Sequence, residues 1–384
     1  MTAKILLLTA CATGFSCDAA SRSADDSGSG VGDPSPVTIP AHFSAVPQPA
    51  IDWLPEVYGA LHASGDPVID GSLDDPAWQS APWTNDFVDI QGGAMPSPRH
   101  RTRARILWDD EYLYVGAEME EPHVWGTLTE RDAVIYHDND FEVFIDPDAD
   151  THQYYELEIN ALDTVWDLML LKPYRDGGPA IDAWDIRGLR TGVAVDGTLN
   201  DPLDEDRGWS VEIAIPWDVL QEAAGRPVPP KAGDRWRVNF SRVQWRAIVE
   251  EGRYAKVTAP ETGEFLDEDN WVWSPQGLIA MHYPEMWGIV EFVGPGTAEF
   301  RPELTADERA LWALRQVYYR QREHAASNGS WARSVAELEL GSPGSGLPWP
   351  PDMSLTPSGF EATLALSDGR VAHISEDGRS WVSD

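Results

Sequence analysis

Cysteine is nearly missing from this chain: Cys11 and Cys17 are the only two among 384 residues. Both fall in the leading segment, so no disulfide framework is needed to staple the remainder. Long apolar runs are missing too, and beyond the first residues no stretch is long enough to span a bilayer. Basic side chains are scarce, 28 Lys plus Arg against 64 Asp plus Glu, which leaves a formal net charge of −36. Such a surface repels phosphate backbones and anionic lipid, which argues against nucleic acid as a partner. It suits neutral or cationic ligands and divalent metals, or a solvated face with no partner at all. Apolar side chains are plentiful at 42%, including 18 Trp, enough to build the core of one large or two moderate domains.

Lys4 followed by Ile5-Leu6-Leu7-Leu8, then small residues and a cysteine, has the form of an export signal. Leu8-Thr9-Ala10-Cys11 resembles a bacterial lipobox, while Ser16-Cys17 follows an apolar segment of more usual length. Acylation of Cys11 or Cys17 would tether the protein to a membrane by lipid alone; a plainly cleaved signal is the alternative. The expected location is therefore the cell envelope, as a lipoprotein, or the exterior. Residues 1–17 read as leader, and 18–50, rich in Ser, Asp, Gly and Pro, as a disordered linker.

From Val68 to Val293 short alternating runs are separated by Gly, Asp, Asn and Pro. In Phe141-Glu142-Val143-Phe144-Ile145 and Tyr155-Glu156-Leu157-Glu158-Ile159 every second side chain shares a sheet face, with the carboxylates expected outward. Arg103 to Trp108 and Tyr112 to Glu118 flank Asp109-Asp110-Glu111 as a hairpin. Trp217 to Ala223 predicts a short helix. The pattern predicts an all-β fold over residues 51–294, a two-sheet antiparallel β-sandwich of jelly-roll or immunoglobulin-like type. Over 295–384 the spacing changes. Thr305-Ala306-Asp307-Glu308 offers a capping box for a helix through Arg322, and Phe360–Leu366 with Arg370–Ile374 predicts a final hairpin.

Five runs in order resemble family 9 carbohydrate-binding modules: Val68 to Trp78, Arg105 to Val115, His137 to Pro147, Gly208 to Trp217, and Trp273 to Gly277 with His282 to Gly288. The resemblance implies a two-sheet sandwich, a glycan held by paired aromatics, and structural calcium. It leaves the sugar open. Family members usually accompany polysaccharide-degrading enzymes, but no catalytic domain is read in this chain.

A sugar offers an apolar C–H face and a polar rim, so its site needs flat rings beside charged or amide groups. Trp125, in the loop Val124 to Asp132, is the expected ring, with Arg131 and Asp132 beside it. The expected second ring is Trp184 or Trp271. His137, Asp140 and Glu142 are expected to accept sugar hydroxyls, whereas Trp273 and Trp287 are expected to pack the sandwich's end. Asp146, Asp148 and Asp150 sit at alternate positions in a turn, as in an oxygen-lined calcium loop, though without the glycine and distal Glu of an EF-hand. No catalytic residue is assigned.

Three rivals remain. Abundant carboxylates would allow a glycoside hydrolase, but no pair stands out. Haem could be held by His282 with Met286 or His137 with Met119, although no Cys-x-x-Cys-His run exists. An interaction protein acting through its C-terminal part is the third.

Overall fold

Strands whose apolar residues recur at every second position must cover one face, and that requirement shapes most of this molecule. The computed structural model describes residues 44–295, 300, 302–344 and 346–384. The leader, both cysteines and most of the expected linker lie outside the described residues. The principal strands are β1 (Val57–His62), β2 (Thr102–Trp108) and β3 (Tyr112–Glu120). They are followed by β4 (Asp140–Asp146), β5 (Tyr154–Asn160) and β6 (Val165–Leu170). Next come β7 (Arg190–Asp196), β8 (Gly208–Pro216), β9 (Arg235–Gln244) and β10 (Gly288–Val293).

These strands lie in the order β6-β5-β4-β9-β10-β1-β2-β3-β8-β7 within a sheet of 13 strands. Three short strands, Val88–Asp89, Ala180–Ile181 and Asp269–Val272, complete it. One core takes Ile106, Val115 and Ile213 from one half of the order and Phe141, Leu157 and Phe240 from the other. The sheet therefore curls until its halves face each other. The expected β-rich fold is present, but pairing runs unbroken from half to half. The junction is β1, which pairs parallel with both β10 and β2. This strand lies within the expected β domain but before Val68, where the alternating runs were read to begin. Its partners are distant in sequence, so no local turn announces it.

Polar contacts set the local geometry. The Asp109 carboxylate accepts from the backbone N–H groups of Glu111 and Tyr112 at 2.7 and 2.8 Å, closing the β2–β3 hairpin. Glu212, on the outer side of β8, accepts from Trp78 Nε1 at 2.7 Å and from the N–H groups of Asp70 and Gly71. Gly71 has φ 91°, and a Cβ there would meet the Val193 backbone at 2.4 Å, so only glycine fits. After β8 comes the short helix α1 (Trp217–Leu220).

The C-terminal segment forms α2 (Ala306–Asn328), started by the expected Thr305/Glu308 capping box. The expected hairpin is the middle of a four-stranded meander, β11 (Asp352–Leu355), β12 (Phe360–Ala365), β13 (Val371–Ser375) and β14 (Ser380–Ser383). Buried charges fasten this part to the large sheet. Asp176 pairs with Arg322 and accepts from the Tyr318 hydroxyl at 2.5 Å. Glu285 pairs with Arg175 at 2.8 Å and accepts from the Tyr319 hydroxyl at 2.5 Å. Burial alone would raise the Glu285 carboxyl, but Arg175 and Arg315 hold it down to about 2. Because the native carboxyl titrates below the unfolded one, its stabilisation is present above the ordinary carboxyl range and fades as pH falls through about 2. Glu285→Gln is accordingly expected to lose about 3 kcal/mol in urea unfolding at pH 7, with the deficit narrowing between pH 4.5 and 2. An equal deficit at all pH values would contradict this assignment.

Candidate functional site

Opposed residues in an antiparallel ladder share a face, and on the outer face of β4, β5, β6 and β9 the register brings carboxylates together. Glu142 lies opposite both Glu158 and Ser241, and Glu158 lies opposite Trp166. Asp140 and Glu156 are on the same face, two residues along their strands. The expected outward direction is right, yet these groups are not solvated: Asp140 is 0% exposed, Glu142 4%, Glu156 6% and Glu158 1%. A 3-10 turn, Ile135–His137, brings the chain over them, and the Tyr136 N–H donates to Glu158 Oε2 at 2.9 Å. The Tyr136 ring lies 6.3 Å from that of Trp166, both half-buried. Tyr174, 53% exposed, lies further along. Its hydroxyl is pushed up to about 12 by burial and then by the charges of Glu156 and Asp182. That of Tyr136 is raised by burial and then by Glu158 and Glu268.

None of the four carboxylates forms an ion pair with a described lysine or arginine. Burial pushes Glu142 up to about 7, and burial followed by the Glu142 charge pushes Glu156 up to about 8. Asp140 and Glu158 shift the same way for the same two reasons. Asp140 Oδ1 accepts from the Val243 N–H at 3.2 Å, and the Ser241 hydroxyl facing Glu142 pulls that carboxyl down, but Asp140 Oδ2 has no partner among the described residues. This face thus has buried carboxylate oxygens beneath the half-buried rings of Tyr136 and Trp166. That arrangement matches hydroxyl donors and C–H faces.

Some expected ligand residues are here and some are not. His137 is exposed with its ring 4.8 Å from Tyr136, and Asp140 and Glu142 form the floor. Trp125 does not face a ligand: at 4% exposure it packs with Val243 and Trp245, with Tyr136 beside that cluster. Its loop is pinned from below, since the Asp138 carboxylate accepts from the N–H groups of Thr127 and Leu128 at 2.7 and 2.9 Å. Trp271, 3% exposed, belongs to the main core, as do Trp273 and, in a satellite cluster, Trp287. Trp184 stacks on Tyr155 with centroids 4.7 Å apart, and Tyr155 points to the inner core, opposite the acidic floor. Arg131 is taken up by Asp167, with Asp185 at 3.3 Å and Asp132 at 3.6 Å. Asp167 lies opposite Leu157, an inner residue, so Arg131 and Asp132 are also separated from the floor. Tyr136, Glu156, Glu158, Trp166, Tyr174 and Ser241 were not singled out from sequence. Alternation does place Glu156 and Glu158 with Glu142, but nothing local marks the three aromatics.

The expected calcium loop keeps its geometry. Carboxylate oxygens of Asp146, Asp148 and Asp150 lie within 4.8 Å of one another, and buried Asp146 Oδ1 has no partner. Burial and then Asp150 push Asp148 up to about 6. Arg379 already neutralises part of this cluster through Asp150 at 2.7 Å. The residues fit an oxygen-coordinated cation. For haem, the proposed ligands are engaged elsewhere: Met119 and Met286 are buried in two different cores, and His282 shares a hydrogen bond of 3.0 Å with the Tyr154 hydroxyl.

Comparison with known proteins gives one family match and several partial relatives. Residues 69–232 match the family described as "Carbohydrate family 9 binding domain-like". Exoglucanase XynX of Acetivibrio thermocellus is 36% identical over 158 residues, 41% of this chain and 12% of that protein. Endo-1,4-beta-xylanase A of Thermoanaerobacterium saccharolyticum is 33% identical over 163 residues, 42% of this chain and 12% of that protein. The chain thus spans about an eighth of the length of these relatives. A family 9 carbohydrate binding module from Caldicellulosiruptor kristjanssonii, solved with cellotriose, aligns with a TM-score of 0.41 at 17% identity, covering 65% of this chain and all of that one. Residues 69–232, the segment that matches the carbohydrate family 9 binding domain, contribute Asp140, Glu142, Glu156, Glu158, Tyr136, Trp166 and Tyr174.

Proposed function

We propose that this protein binds polysaccharide or oligosaccharide in the cleft rimmed by Tyr136, Trp166 and Tyr174, without cleaving it. The observation that carries this is the coincidence of a binding-domain match with an aromatic-rimmed bed of acceptor oxygens inside the matched segment. The aromatic faces cover the sugar C–H surface, and floor carboxylate oxygens accept hydrogen bonds from its hydroxyls. The two halves of the curled sheet act as the layers of a sandwich that holds this face rigid. The names of the xylanase and exoglucanase relatives favour a β-1,4-linked polysaccharide as ligand. The leader sequence supports export, as a secreted protein or one acylated at Cys11 or Cys17, in the service of carbohydrate catabolism.

Affinity electrophoresis in gels containing xylan or soluble cellulose derivatives tests the site. Tyr136→Ala and Trp166→Ala are expected to weaken retention at least tenfold, about 1.4 kcal/mol, with unchanged melting temperature, while Trp184→Ala leaves it intact. Equal retention of all variants would place the ligand elsewhere, and new reducing ends would indicate hydrolysis.

The loop of Asp146, Asp148 and Asp150 is assigned to structural calcium, joining the end of β4 to the C-terminal meander through Arg379. Added calcium should raise the melting temperature of wild type, and Asp146→Asn should lose most of that gain. An identical gain in the variant would remove calcium from this loop.

A further inference from the structure

Basic side chains number 28 against 64 acidic ones, so a surface on which they gather stands out in this chain. Arg103 and Arg105 alternate along β2 with the core residues Ala104 and Ile106, which sends both to the outer face of that half of the sheet. The register sets Arg103 opposite Glu118 on β3 and Glu118 opposite Ser210 on β8. Over this row lies an open groove of about 820 Å³, lined also by Trp83, Gln79, Arg101 and Arg207. The shared core separates it from the face that carries Glu142 and Glu158.

The arginines of the groove differ in what answers them. Arg103 donates to Glu118 at 2.6 Å, Arg101 lies 3.2 Å from Glu120, and Arg207 pairs with Asp196. Arg105 lines the same groove, yet no carboxylate among the described residues comes within ion-pair distance of it. Its Nη1 donates to the Trp78 carbonyl at 2.7 Å, while its Nε is buried without a partner. Burial and, more weakly, the Arg103 charge work against the Arg105 cation, a penalty that a bound anion would offset. Arg103 and Arg105 both stack on Trp83, with guanidinium carbons 4.1 and 3.7 Å from the ring centroid, which holds the Arg105 plane in place. The half-buried Trp83 keeps its indole N–H without a partner among the described residues.

We propose that this groove is a second saccharide site, selective for a sugar unit that carries a carboxylate, a uronate, with Arg105 as its anchor. A positioned guanidinium with unused donors holds a carboxylate by charge-assisted hydrogen bonds, stronger than those it makes to a neutral hydroxyl. Hydroxyls of the same unit meet acceptors at Glu118, Gln79 and Ser210. The Ser210 hydroxyl already donates to the Gly71 carbonyl at 2.6 Å, so its oxygen is left to accept. Dense polyanions are disfavoured by the net charge of −36 and by Glu118, Glu120 and Asp196 along the groove. One carboxylate on an otherwise neutral sugar chain fits the one guanidinium that the described residues leave unpaired here. This site goes beyond the cleft at Tyr136 and does not depend on it.

The test is titration calorimetry of the full chain with two probes, xylotetraose and xylotetraose bearing one glucuronic acid unit, in a Tyr136→Ala background that removes the cleft's contribution. The acidic probe is expected to bind roughly tenfold more tightly than the neutral one and to lose affinity as salt is raised. Adding Arg105→Gln should abolish that preference, and Arg105→Lys, which keeps the charge without the planar fork, should lose most of it. A melting temperature close to that of the parent shows that each variant is folded. Trp83→Phe keeps a stacking ring but removes the indole donor, and a several-fold weaker binding of the acidic probe is expected from it. Equal affinity for the two probes, or an acidic-probe affinity that Arg105→Gln leaves unchanged, would overturn the proposal. Competition by inorganic sulfate without competition by free glucuronate would overturn it too, since that marks a bare anion site. Should Tyr136→Ala bind both probes as wild type does, the cleft reading fails while this one is still decided by Arg105→Gln.

Discussion

The strict alternation of side chains along β4, β5 and β9 is the constraint from which the rest of this structure follows. Phe141, Val143, Tyr155, Leu157 and Phe240 enter the shared core because the residues between them are sent to the other face. On β4 and β5 those residues are mostly acids, and the turn just before β4 lies over Glu158. A slip of one residue in register would exchange the two sets completely. Core burial and the acidic floor are therefore one feature seen from two sides.

Charge is handled differently at the two ends of this layer. Where α2 and the C-terminal meander dock, buried acids meet arginines: Asp176 with Arg322, Glu285 with Arg175, Asp150 with Arg379. Bidentate, always-charged guanidinium groups suit such dry pairs. Under Tyr136 the same kind of acid is left without a basic partner. Arginines pair with the buried acids where α2 docks, whereas the floor carboxylates have no such pair among the described residues.

Much of this was legible in the sequence, for local reasons. Alternation identified β4, β5, β8 and β9, the Asp109 turn identified the hairpin beside it, and the capping box identified the start of α2. The parallel strand β1 escaped because its pairing with β10 joins segments far apart in the chain. The site was half legible. Asp140 and Glu142 were found because they sit in a strand with a clear period. Trp125 was misplaced because a loop tryptophan suggests exposure, whereas the Asp138 carboxylate bonds that tie its loop turn the ring inward. Tyr136 and Trp166 meet only through folding, from a turn and a strand. Residue spacing carries no record of that.

The central claim is that the floor carboxylates are buried without a protein cation and hold their protons far above the ordinary range. Carbon-13 NMR titration of glutamate side chains in chelator measures this directly. The account predicts carboxyl resonances for Glu142 and Glu156 with midpoints near 7 and 8, assigned through Glu142→Gln and Glu156→Gln. Midpoints near 4.5 for both would contradict it.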